Sequence, residues 1–273
     1  MFSLQFEHMT RVLPVALATL LALASSATAQ PGAFWTETYP GLPSDVRVTP
    51  VASISIPLGN GQAPQRLTSR QLAEISAVVL TGVGHLVASS QDASGAYIPA
   101  VMAGWGGYVG YRELTEPGYL ADAGFTGANT GRAWRDATLV SLGALGGMAV
   151  IGASRGTLDT DGLLVPLLLL YPAWGLTQQF LVQRMLTRNL ADAGLPRAVI
   201  TPLSALTFGS VHVPNWDLTA TTTFMGATFT HLYQRDGNLW PLGVYHGALG
   251  AFAYVWVLDR TSWDEVLNGP ANP

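Results

Sequence analysis

The chain contains no cysteine and no lysine, and both absences narrow what it can be. Without thiols there is no disulfide framework, no cysteine nucleophile and no zinc site of the cysteine type. All thirteen basic residues are arginines scattered along the sequence, and the net charge is only −4. That leaves no basic patch of the kind nucleic acid requires, so no nucleic-acid partner is expected. Charge of either sign is scarce: 11% of the 273 residues are charged, against about 25% in an ordinary soluble domain. In its place stand 49% hydrophobic residues and 30 glycines, the composition of a protein whose surface meets a lipid bilayer.

The N-terminus has the three parts of a secretory signal. Arg11 precedes the apolar run Val12 to Ala24, and the small-residue pattern Ala27-Thr-Ala29 follows. The run falls short of the ~20 residues that span a bilayer, so residues 1–29 read as a signal peptide cut after Ala29. Residues 30–70 are rich in Pro, Gly, Ser and Thr and read as an extra-membrane segment, with one short strand at 47–56. From residue 71 to 273, apolar runs alternate with turn-forming loops. Seven runs are expected to be helical, at 72–90, 97–111, 137–154, 162–187, 197–213, 218–234 and 239–258, separated at their widest by a polar loop at 112–136. The fold class expected is all-α, a polytopic transmembrane bundle of six to seven helices. If all seven span behind a cleaved signal, the arginine-bearing loops fall outside the cytoplasm, against the tendency of basic loops to stay in. Dropping the short, glycine-rich run 97–111 reverses every later helix and removes the conflict.

Three apolar segments carry polar residues where a bilayer makes them costly. Polar groups at such depth face a bundle interior or a cavity, which makes their clustering a site hypothesis. Gln179 and Gln183 are four apart and share a helical face, Gln178 lies about 100° round from Gln179, and Arg184 continues the polar side. Phe208 and His212 are four apart on a second segment, and His246 and Gly250 on a third. Val213-Pro-Asn215 follows the second pair, and Gly237-Asn-Leu-Trp-Pro241 precedes the third.

These motifs, over about 162–258, resemble the CAAX protease and bacteriocin-processing (Abi) family of intramembrane endopeptidases. That family has a Glu-Glu-x-x-x-Arg helix, then Phe-x-x-x-His, then His-x-x-x-Asn after a turn of the Gly-Asn-Leu-Trp-Pro type. The resemblance implies an integral membrane protein of a bacterial inner membrane that cuts a membrane-embedded or lipidated peptide by water activation. It implies catalytic positions at Gln178, Gln179, His212 and His246, and substrate-binding positions at Phe208, Asn215, Arg184 and Gln183. No cofactor is implied. Four positions depart from the family: its glutamates fall on Gln178 and Gln179, its arginine on Gln183 with Arg184 next to it, and its asparagine on Gly250. An amide can orient a water but cannot take its proton, and loss of a general base costs about 10²–10⁴ in rate.

The residues alone leave two readings of this set. In one, an imidazole serves as base near neutral pH and the cluster is an endopeptidase site. In the other, the protein is a catalytically inactive relative that binds a membrane segment or a partner, with buried histidines and glutamines tying helices together. His231 and His85 match no motif position and read as structural, while Glu74, on the helix of His85, is a remote source for the missing carboxylate. No metal is expected, because the chain has no His-x-x-His or His-x-x-x-His pair and no carboxylate near the motif histidines.

Overall fold

The computed structural model of the chain describes residues 67–91, 93–158 and 164–259. The signal-like segment at 1–29, the extension up to residue 66 and the strand expected at 47–56 lie outside the described residues. Among the described residues there are seven long helices, two short ones and no strand. They are α1 (Ser69–Ser90), α2 (Ser94–Thr115), the short α3 (Tyr119–Ala123), α4 (Thr130–Arg155) and α5 (Leu164–Gln179). Helix α5 continues through a wide π-helical stretch (Phe180–Arg188) into α6 (Asn189–Asp192). After these come α7 (Arg197–Ser210), α8 (Trp216–Asp236) and α9 (Trp240–Phe252), the last ending in a second π-stretch (Ala253–Val257). All seven expected runs are helices, so the bundle reading holds.

Helix starts follow local chemistry. At the head of α1 the Thr68 hydroxyl accepts from Gln71 N at 3.2 Å while the Gln71 side chain accepts from Thr68 N at 2.9 Å, a reciprocal capping box. Asn215 caps α8 by accepting from Leu218 N at 2.9 Å. Ahead of α9, the chain turns at Gly237 with φ of 65°. Asn238 then accepts from Trp240 N at 3.1 Å and donates to the Thr126 and Ala128 carbonyls at 3.1 and 3.0 Å. Pro241 lies in the first turn of α9, where its missing N–H costs nothing.

Among the described residues, three helices are long and apolar enough to cross a membrane: Ser69–Ser90, Thr130–Arg155 and the continuous Leu164–Asp192. Their outward side chains are large and apolar, with Val150 71% and Leu169 75% exposed, a surface that lipid would cover and water would not. The protein is an integral membrane protein. Helix α2, the expected odd one out, is not among the three, and neither are α7, α8 or α9.

The most extensive pairing in the bundle is α5 on α9, and it is made by glycine. A Cβ on Gly175 would stand 2.5 Å from Gly243 O, and one on Gly247 would stand 2.4 Å from Pro172 Cα. The spacing Gly243-x-x-x-Gly247 lets two backbones touch, which is the packing mode open to helices in lipid.

The loop expected at 112–136 is largely helical. Helix α2 runs on to Thr115, α3 occupies 119–123, and α4 begins at Thr130 rather than 137. The polar first turns of α4 are held by pairing that hydropathy does not register. Arg132 donates to Asp236 Oδ1 at 2.7 Å, Arg235 to Asp236 Oδ2 and Asp136 Oδ2 at 2.6 Å each, and Asn129 to the Asp236 carbonyl at 3.0 Å. Burial pushes the Asp236 carboxyl up, but Arg235 and Arg132 outweigh it and hold it below the ordinary carboxylate range.

Two outcomes follow from this packing. Gly247→Ala should lower the thermal unfolding midpoint in detergent, at a cost of about 1–3 kcal/mol, whereas Gly146→Ala, in open space on α4, should be neutral or mildly stabilising. Asp236→Asn should cost about 1–3 kcal/mol at pH 7 by leaving charged donors short of a partner. A depressed native pKa gives stability that is present above the unfolded value of ~3.9 and lost as pH falls through the native one. The difference between native protein and Asp236→Asn, followed by unfolding at stepped pH, should therefore close below about pH 4.

Candidate functional site

The π-stretch decides where each polar side chain of the central helix points. Its residues from Phe180 to Thr187 are all buried, so a polar group there must find a partner on a neighbouring helix. Gln183 Nε2 donates to Gln179 Oε1 at 3.1 Å and to Thr230 Oγ1 of α8 at 3.2 Å. Thr187 meets Ser204 of α7 at 2.8 Å, and Asn189 donates to Glu74 of α1 at 2.7 Å. Wide π-turns occur disproportionately at functional sites, and here one follows directly on the paired glutamines.

Four of the predicted residues converge. Gln179 Nε2 stands 2.7 Å from His246 Nδ1. The Phe208 ring lies edge-on between the two imidazoles, 5.2 Å from that of His246 and 5.4 Å from that of His212, centre to centre. Gln183 joins through Gln179. His212 Nδ1 lies 3.2 Å from the Phe208 carbonyl and 3.2 Å from Thr222 Oγ1. The Gln178 side chain, half-buried, makes no hydrogen bond among the described residues. The result is a polar cluster between α5, α7, α8 and α9, with two imidazoles, two linked amides and a threonine hydroxyl.

Other predicted positions lie elsewhere. Arg184 is buried against α3, donating to Asp122 Oδ2 at 3.3 Å with its guanidinium 5.1 Å from the centre of the Tyr119 ring. Asn215 spends its side-chain oxygen on capping α8. His231 is exposed on α8. Glu74 is buried and occupied: Arg112 donates to it at 2.6 Å, Asn189 at 2.7 Å, and Tyr108 through a short hydrogen bond. Asn189, its partner on the central helix, is ten residues beyond Gln179, so this carboxylate is engaged about two helical turns from the glutamine. It does not stand in for a missing glutamate. A groove of about 460 Å³ beside it, lined by Ala73, Ala77, Val101, Gly104 and Trp105, contains none of the motif residues.

Sequence reasoning missed Thr222 and Thr230, which hold the imidazole and the amide. Their only signal was a hydroxyl in an apolar run, and their neighbours on α8 share it. It also missed Tyr171. Gly250, the position that the resemblance gives to the family's asparagine, lies under that ring: a Cβ there would stand 2.4 Å from Tyr171 Cε1. The space of an asparagine side chain is thus filled from α5. Among the described residues no group of three or more His, Asp or Glu side chains is arranged to hold a metal ion.

Residues 160–252 match the family model described as Type II CAAX prenyl endopeptidase Rce1-like, the family whose motifs the sequence resembles. The matched segment contains every residue of the cluster. No curated protein and no solved structure matches the chain.

Gly250→Asn should destabilise the protein by about 1–3 kcal/mol, because the new Cβ and the Tyr171 ring claim one volume. In a Tyr171→Ala background most of that cost should disappear. A double-mutant cycle on thermal unfolding reads the coupling directly.

Proposed function

We propose that the cluster is the reacting site of a CAAX-protease-like intramembrane endopeptidase in which histidine, rather than glutamate, activates the water. The observation that carries this reading is the convergence of both motif imidazoles on Phe208, with Gln179 2.7 Å from His246, inside the segment matched by the endopeptidase family. The substrate class is a membrane-associated or lipidated peptide, which reaches the cluster between helices. Water attacks the peptide carbonyl carbon while an imidazole takes its proton. That proton passes to the amide nitrogen as the C–N bond breaks, leaving a carboxylate and an amine. Gln178 and Gln179 orient water and peptide by hydrogen bonds. The membrane in which it acts is a bacterial inner membrane, as the resemblance implies.

A second reading has its own support. With amides at 178 and 179 and Tyr171 covering Gly250, the cluster can receive a membrane segment and hold it uncut. The purified protein in detergent, offered a panel of membrane-segment and lipidated peptides, separates the two. Under the endopeptidase reading the native protein cleaves, His212→Ala lowers the rate by about 10²–10⁴-fold, and the double variant Gln178→Glu, Gln179→Glu cleaves faster. Cleavage that begins only when glutamates are introduced establishes the binding reading instead.

A further inference from the structure

We infer that Thr230, Gln183 and Gln179 form an amide relay that fixes the tautomer of His246, holding its proton on Nε2, while a backbone carbonyl holds the proton of His212 on Nδ1. The two motif imidazoles then present opposite faces to the cluster. His246 offers a donor, and His212 offers a bare nitrogen.

The assignment follows from which atoms can donate. A carbonyl oxygen only accepts, so the 3.2 Å contact between the Phe208 carbonyl and His212 Nδ1 requires a proton on that nitrogen. Thr222 does not reverse this. Its hydroxyl proton is directed to the Leu218 carbonyl at 2.7 Å, which leaves Thr222 Oγ1 as an acceptor 3.2 Å from the same Nδ1. A neutral His212 therefore carries its lone pair on Nε2.

At His246 the partner is an amide nitrogen, which only donates. Gln179 Nε2, 2.7 Å away, requires His246 Nδ1 to accept and so leaves the ring proton on Nε2. What decides the matter is which way the Gln179 amide faces, and that is set from behind by Gln183. Gln183 is fully buried, and its two N–H protons both find acceptors, Gln179 Oε1 at 3.1 Å and Thr230 Oγ1 at 3.2 Å. Its own oxygen has no partner. Turning both amides over would keep the contacts with donor and acceptor exchanged and would give partners to the Gln183 oxygen and the Thr230 hydroxyl proton, but it would strand both buried N–H protons of Gln183. Buried donors without acceptors are the rarer and costlier defect, so the relay runs from Gln183 to Gln179 to His246. Gln183 and Thr230 are thus positioning residues. Neither touches His246, yet both determine which of its nitrogens is bare. A carboxylate at position 179 could only accept, and would draw the ring proton to Nδ1.

The test is nitrogen NMR of the full-length protein in detergent micelles with ¹⁵N-labelled histidine, the His246 signals being identified by their loss in His246→Gln. The expected spectrum at neutral pH has an unprotonated Nδ1 and a protonated Nε2 for His246, and the reverse for His212. Gln179→Glu should exchange the two His246 resonances. Thr230→Val should give a mixture of His246 tautomers, and Thr230→Ser should restore the native pattern, a rescue that a purely space-filling role would not need. A protonated Nδ1 on His246 in the native protein overturns the assignment, as does a Gln179→Glu spectrum identical to the native one. Apart from His246→Gln, which serves only to identify the signals, the native measurement requires no variant to fold. It also requires no substrate, so failure of this inference is distinct from failure of the endopeptidase reading.

Discussion

The contact on which the site depends is the one between the backbones of α5 and α9. Gly175, Gly243 and Gly247 let these helices approach until any β-carbon would collide, and His246 sits beside Gly247 in that seam. Because the helices are so close, the imidazole reaches Gln179 at 2.7 Å without bending either helix. In lipid no hydrophobic force separates helices from solvent, so close packing and interhelical hydrogen bonds must do what core burial does in a soluble protein. Here one seam supplies both. The same closeness lets Tyr171 lie over Gly250, so the seam that builds the cluster also closes part of it.

Around that seam the central helix distributes its polar side chains among five neighbours. From Phe180 to Thr187 the π-stretch is buried, and the buried polar residues within or beside it answer to different helices: Gln179 and Gln183 face α9 and α8, Arg184 faces α3, Thr187 faces α7, and Asn189 faces α1. The far end is a separate polar centre, where Arg112 bridges Glu74 and Glu116 at 2.6 and 2.8 Å and lies 4.3 Å from the centre of the Tyr119 ring. Such a centre answers the cost of placing a carboxylate among apolar helices, since each charge there has a partner of opposite sign. Its chemistry is spent on holding α1, α2 and the central helix together. Glu74, the acid considered as a source for the motif region, is therefore engaged elsewhere.

Amides in place of carboxylates change what the cluster can do more than where it is. A carboxylate pair would take a proton. The linked glutamines instead pass hydrogen-bond direction from Thr230 to His246 and leave proton transfer to the imidazoles. Whether peptide is cut or only held depends on how well an imidazole works without an acid behind it.

Much of the fold was legible in the sequence. Apolar runs with caps and turns gave all seven long helices, because a stretch long and apolar enough to lie in lipid must satisfy its backbone internally and so must coil. The spacing of Gln179 to Gln183 and of Phe208 to His212 was legible for a similar reason: four residues apart on a helix means one face, and both pairs are in contact. The helical turns at 119–123 and 130–136 were not legible, because their partners in the last turn of α8 lie about a hundred residues away. The sequence by itself determined the helices, the motif order and the absence of carboxylates at the motif positions, since these depend on residue identity and local period. Only the tertiary structure decided that Arg184 and Asn215 face away from the histidines, that Tyr171 covers Gly250, and that Thr230 stands behind Gln183. Those outcomes depend on how closely and at what rotation helices meet, which in this bundle is set by glycines touching across a seam.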